Sequence, residues 1–179
     1  MNNAAKARKL PNPAPSPCNI IVAGLGGQGV LTAADIIADV AVRVGFDVKK
    51  SAIKGMSQRG GSVACDVRFG GQVHSPMVPA GEADFLLVLE PTQLEPNRHL
   101  LRADGVIIEP SAVDASRLPQ KKALNVALLG ALSAHLSIAE EEWLQAVKAA
   151  FAPKFFEGNC QAFLLGRAGQ RDLAAAAAG

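Results

Sequence analysis

Residues 18–45 constrain this chain more than any other stretch: an unbroken apolar run, CNIIVAG, leads into GLGGQG and then into VLTAADIIADVAVRVG. The run is short, rich in Ile and Val, and stops at a glycine, as a strand buried on both faces does. In the third stretch Val30, Leu31, Ala34, Ile37, Ala38, Ala41 and Val44 recur at helical spacing, and Gly45 closes the helix. A strand that passes through a glycine turn straight into a helix commits the chain to a β–turn–α unit. FDVKKSAI (46–53) then supplies a second strand.

The remaining pattern extends that unit into one α/β domain. KGMSQRGGS (54–62) is a polar loop, and SVACDVRFGGQVHS (62–75) alternates around Gly70 and Gly71, which predicts an antiparallel hairpin. DFLLVLE (84–90) is a buried strand stopped by Pro91, PTQLEPNRHLLR a short helix, and GVIIEP (105–110) a further strand ended by its proline. ALNVALLGALSAHL (123–136) reads as a buried helix and SIAEEEWLQAVKAAF (137–151) as an amphipathic one, with Ser137 and Glu140 as a capping box. EGNCQAFLLGRAGQ (157–170) is the last helix. The predicted fold is a mainly parallel, Rossmann-like sheet flanked by helices, with an antiparallel hairpin insertion. It occupies residues 18–170, between disordered tails at 1–17 and 171–179.

Composition excludes several classes of function. A net charge of +2 gives no electrostatic footprint for nucleic acid or an anionic membrane. Aromatic residues make up only 4% of the chain and Tyr is absent, too few rings for a base-stacking platform. No apolar run reaches the roughly 18 residues of a membrane span, and the first residues carry no secretory signal core. Cys18, Cys65 and Cys160 are odd in number and widely spaced, so they read as reduced, mostly buried thiols in a cytoplasmic protein. They form neither a disulfide framework nor a metal motif.

Two loops carry the candidate chemistry. Gly24, Gly26 and Gly29, with Gly27 and Gln28 between them, satisfy G-x-G-x-x-G in the strand-then-helix context of a dinucleotide turn. Such a turn lets backbone approach a phosphate and aims helix N–H groups at it. The acid that should end the second strand and bind the ribose is missing, because Asp47 stands at that strand's start. Lys49 and Lys50 fit a 2′-phosphate or a solvated sheet edge. An NAD(P) site therefore stays open beside a packing or partner-contact role for the turn. The second loop groups Lys54, Met56, Ser57, Gln58, Arg59, Gly60 and Gly61. Gln58 and Arg59 are donors for a carboxylate, a phosphate or a carbonyl. Both loops follow carboxyl ends of strands, and so share the edge where open α/β sheets meet ligands. His74 and Ser75, ahead of Pro76, are candidates for the same face. His99 and His135 read as structural or exposed, and Trp143 as core or interface.

Four collinear segments, GLGGQGVLTAADIIADVA, KGMSQRGGSV, HSPMVPAGEADFLLVLEP and NVALLGAL, resemble the γ-type domain of the 2-oxoacid:ferredoxin oxidoreductases, in the form of the small (β) subunit of the indolepyruvate enzymes. The resemblance runs from about Asn19 to Gly166 and includes GNCQAFLLG near the end. Lys54 departs from it, since His is common at that position. The resemblance implies a subunit of an enzyme that oxidatively decarboxylates an aryl 2-oxoacid to an acyl-CoA and CO2 and passes electrons to ferredoxin. It also implies thiamine diphosphate, Mg2+ and iron–sulfur clusters on a larger partner subunit, because this chain has neither a GDG…N segment nor clustered cysteines. On this reading the chain contributes no catalytic residue and no metal ligand. Its two glycine loops face the partner at the active-site rim or the approach of coenzyme A. The alternatives are a free-standing NAD(P)-binding oxidoreductase and a γ subunit serving another 2-oxoacid, such as phenylglyoxylate, pyruvate or a branched-chain acid.

Overall fold

The structure is a computed structural model that describes residues 16–54 and 60–177, apart from the side chains of 53, 54, 121 and 171–177. Strand β1 (Cys18–Leu25) runs through the glycine turn into helix α1 (Val30–Arg43), and β2 (Asp47–Lys54) follows. The other elements are β3 (Ser62–Gly70), β4 (Ala83–Val88), a short helical passage centred on α2 (Leu94–Asn97), β5 (Leu101–Ile108), α3 (Leu124–Ser133), α4 (Glu140–Ala150) and α5 (Phe156–Ala177).

The five strands form one sheet in the order β2-β3-β1-β4-β5. β1, β4 and β5 pair in parallel, while β3 is antiparallel to both of its neighbours, so β2 runs in the same direction as β1. The β1–α1–β2 crossover therefore steps over the place that β3 later fills. The expected antiparallel insertion is present, but its geometry differs from a hairpin within 62–75. β3 continues unbroken from Ser62 to Gly70, and residues 71–75 form no strand. A returning strand would find no free edge there, because β1 and β2 already pair along both sides of β3. The strand that pairs with β3 as its sequence neighbour is β2, on the other side of residues 55–61 in the sequence.

Alternation along the strands sorts side chains into two layers. Ile20, Val22, Cys65, Val67 and Leu87 face α1, α3, α4 and α5 in the main core, whereas Ile21, Ala23, Leu86 and Val88 face a smaller cluster with Val78, Leu94 and Leu100. The larger helices thus lie on one face of the sheet, and the other receives only the passage around α2 and the chain near Val78. Burying the main core is the dominant stabilising term at roughly 25 cal/mol per Å² of apolar surface. α3 is apolar all round, as a helix packed between sheet and neighbouring helices must be: Val126 through Ser133 are all buried.

Two helix ends differ from expectation. α4 begins at Glu140 rather than Ser137, and Ala139 at its N-cap makes no side-chain bond. The capping box gives way because Ile138 is drawn into the core and the Glu140 carboxylate pairs instead with Arg167 of α5, 3.1 Å away. α5 continues through Ala177, into the stretch expected to be a tail.

Candidate functional site

The two glycine loops meet. The N–H of Gly26, in the turn after β1, donates to the carbonyl of Gly61 at 2.9 Å. A methyl at Gly26 would lie 3.6 Å from the Gly60 nitrogen, so the two backbones are in contact. Antiparallel β3 brings this about: it starts at the edge where β1 ends, with Leu25 opposite Ser62.

The turn itself is held from inside. Gln28 sits between two glycines in left-handed conformation, Gly27 (φ 93°) and Gly29 (φ 86°), where other residues are strained. Its Oε1 accepts from the Leu25 N–H at 2.8 Å, and its Nε2 donates to Glu90 Oε2 at 2.9 Å. A Cβ on Gly29 would also lie 2.3 Å from Asn125 Nδ2, so the Asn125 side chain would have to shift, and it is the left-handed φ that demands glycine here. Beyond the turn, a cavity of about 510 Å³ opens between the N-termini of α1 and α3. Gln28, Thr32, Lys122, Asn125 and Phe151 line it.

Of the residues expected at the rim, the structure brings together Gly24, Gly26, Gly27, Gln28, Gly29, Gly60 and Gly61. Met56, Ser57, Gln58 and Arg59 lie outside the described residues, as does the side chain of Lys54. His74 and Ser75 do not join this edge. They follow the far end of β3, where the Val73 N–H donates to Asp47 Oδ2 at the start of β2, 2.8 Å away. Arg68 holds that segment by donating to the carbonyls of Ser75 (3.1 Å) and Met77 (2.9 Å).

Sequence reasoning missed Glu90, Gln93 and Asn125. Glu90 and Gln93 follow β4 at the same carboxyl edge as the glycine turn. The readable signal was an acid just after a buried strand, the LEP of the fourth strand segment.

The geometry disfavours a dinucleotide. Leu25, Gly26 and Gln28 already spend their amide N–H groups inside the protein, on Gln28 Oε1, Gly61 O and Leu25 O. The Glu90 carboxylate next to the turn opposes a pyrophosphate. Asp47 is at the wrong end of β2, and its carboxyl is held below the usual range first by the Val73 N–H and then by Lys49. Lys50 pairs with Asp35 of α1. Nor do the thiols offer a metal or a nucleophile. Burial, assisted by Asp84, pushes Cys18 up to about 12, and burial pushes Cys65 up to about 11. Among the described residues no group of three or more His, Cys, Asp or Glu side chains is placed to hold a metal ion.

The profile of the pyruvate ferredoxin/flavodoxin oxidoreductase family matches residues 19–169. The chain belongs to this family. Within it, the chain is 31% identical over 188 aligned positions to the indolepyruvate oxidoreductase subunit IorB of Thermococcus kodakarensis, covering 83% of this chain and 93% of that protein. The fold is shared with the γ subunit of a keto/oxoacid ferredoxin oxidoreductase from Geobacter sulfurreducens, with a TM-score of 0.72 and 24% identity over 87% of this chain and 99% of that one. It is also found in a 2-oxoglutarate:ferredoxin oxidoreductase from Magnetococcus marinus solved with 2-oxoglutarate, coenzyme A and succinyl-CoA bound. There the TM-score is 0.76 at 19% identity, and 89% of this chain overlays only 32% of a longer polypeptide. This chain is therefore an IorB-like small subunit of a 2-oxoacid:ferredoxin oxidoreductase, and its catalytic role is exercised in the complex. The free-standing dinucleotide enzyme is not favoured.

Proposed function

We propose that the edge carrying both glycine loops faces the larger subunit of the oxidoreductase and closes part of its active-site cavity, on the side from which coenzyme A approaches. The observation that carries this reading is the Gly26–Gly61 bond, which makes one rim of two loops the sequence keeps far apart. Lys54, Met56, Ser57, Gln58 and Arg59 adjoin that rim in sequence and are the residues proposed to meet the partner, with Gln58 and Arg59 as the polar contacts. Thiamine diphosphate, Mg2+ and the iron–sulfur clusters belong on the partner, since the three cysteines here sit in β1, β3 and α5 and none is poised as a thiolate. The substrate is an aryl 2-oxoacid of the indolepyruvate type, the product an acyl-CoA, and ferredoxin the acceptor reached through the complex, in the cytoplasm. The likeness to IorB over nearly that protein's full length supports the substrate class. The fold shared with an enzyme solved with coenzyme A bound supports the cosubstrate.

The test is Arg59→Ala in the assembled enzyme. Losing a charged donor to a buried partner group is expected to cut turnover per CoA roughly tenfold with assembly unchanged. Wild-type turnover in an intact complex removes this loop from the site.

A further inference from the structure

The two glycine loops are not fastened only to each other; both are tied to the residues that follow β4. Glu90 Oε2 accepts from Gln28 Nε2 at 2.9 Å on one side, and Gln93 Oε1 accepts from Ser62 Oγ at 2.6 Å on the other. Leu89 N–H donates to Ala23 O at 2.7 Å, which continues the β1–β4 pairing up to the start of this clamp. Gln93 is buried, and its own carbonyl accepts from Asn97 Nδ2 at 2.8 Å, so the clamp is anchored in α2.

The chain of bonds runs from Glu90 to Gln28, from there to Leu25, through Gly26 to Gly61 and Ser62, and back to Gln93. It is a closed circuit through three connections that are distant in sequence. The Gln28 amide has a single workable orientation in it, because Leu25 offers a donor and Glu90 an acceptor. The bond to Glu90 is charge-assisted and half-buried, which places it among the stronger hydrogen bonds. Its loss would free the Gln28 side chain from the inside of the turn.

We infer that Glu90 and Gln93 are positioning residues for the family's reaction: they hold the glycine turn and the Gly60–Gly61–Ser62 backbone as one rigid rim. Their kinetic consequence rests on the proposal above that this rim borders the approach of coenzyme A. Each acts through the loop it fixes.

The experiment uses the assembled enzyme with Glu90→Ala, Glu90→Gln and Gln93→Leu. Two readouts are taken: steady-state constants for coenzyme A and for the 2-oxoacid, and amide hydrogen exchange across 24–29 and 60–62. Glu90→Ala is expected to speed exchange at both stretches and to raise KM for coenzyme A roughly tenfold, with kcat and the KM for the 2-oxoacid within about twofold. Glu90→Gln, whose amide oxygen still accepts from Gln28, is expected to restore most of both. Gln93→Leu is expected to repeat the pattern from the other end of the circuit, and it decides the matter by the same readouts if Glu90→Ala does not assemble. Unchanged exchange at the two stretches overturns the positioning role whatever the kinetics show. Faster exchange with wild-type constants for coenzyme A leaves the positioning standing and overturns the placement of the rim proposed above.

Discussion

At the scale of single residues, Asp66 is a buried carboxyl whose ionisation bears on stability. It lies in the middle of β3, buried, with its Oδ2 accepting from the Val78 N–H at 2.9 Å. Burial raises its pKa, against smaller opposing effects of that N–H and of Arg68. A carboxyl raised above its unfolded value of about 3.9 favours the protonated native state. Its contribution to stability is full below about pH 4 and is lost as pH rises through the native value. Asp66→Asn keeps an oxygen for Val78 and cannot ionise. The stability of wild type relative to this variant is thus expected to fall as pH rises above about 4, as read from urea midpoints. A constant difference across that range would show that Asp66 titrates normally. The glycines and Gln28 were legible beforehand, since a turn after a buried strand needs them. Glu90, Gln93 and Asp66 were not, because their roles come from neighbours more than ten positions away. Trp143, read as core or interface, is fully buried and stacks on Phe163 with ring centroids 5.9 Å apart.

At the scale of elements, α3 and α5 cross with their backbones in direct contact. A Cβ on Gly130 would lie 1.9 Å from the Phe163 carbonyl oxygen, and one on Gly166 would lie 1.8 Å from that of Ala127. Backbone meets backbone here, so no rotamer change relieves the clash. Arg167 fastens the same crossing through Ser133 Oγ at 2.6 Å and through Glu140 of α4. Gly130→Ala is expected to cost about 3 kcal/mol, seen as a lower thermal midpoint, while an alanine at half-buried Gly158, 3.5 Å or more from its neighbours, is expected to cost nothing comparable. Equal midpoints for the two variants would mean that the helices can part freely. Periodicity made α1 and the buried character of α3 legible, because a 3.6-residue or all-apolar pattern depends only on which residues meet the core. The start of α4 and the path after β3 were not legible. Each was settled by competition with a distant partner: Arg167 for Glu140, and two already paired strands for the supposed return strand.

At the scale of the whole molecule, the larger helices share one side of the sheet and both glycine loops crowd one edge. The parallel α/β class was readable from strand–turn–helix order, but the sheet order was not, since nothing local announces that β3 inserts between β1 and β2. That order also separates this molecule from a free-standing dinucleotide enzyme, because β2 ends one strand farther from the glycine turn. The isolated chain is therefore expected to leave NADPH fluorescence unchanged up to about millimolar cofactor, the weak end of useful affinity. Saturable binding would revive the nicotinamide reading. The inserted strand has a further consequence during synthesis. When β2 leaves the ribosome, its only eventual neighbour has not yet been made, and the vacant slot beside β1 is about two strand spacings, near 10 Å, wide. In a nascent chain halted before Ser62, β1 and β2 could not take their native places as a bonded pair, since β3 separates them in the finished sheet. The sheet can zip up only once the later, oppositely directed segment slides between them, and that same event delivers Gly61 to Gly26.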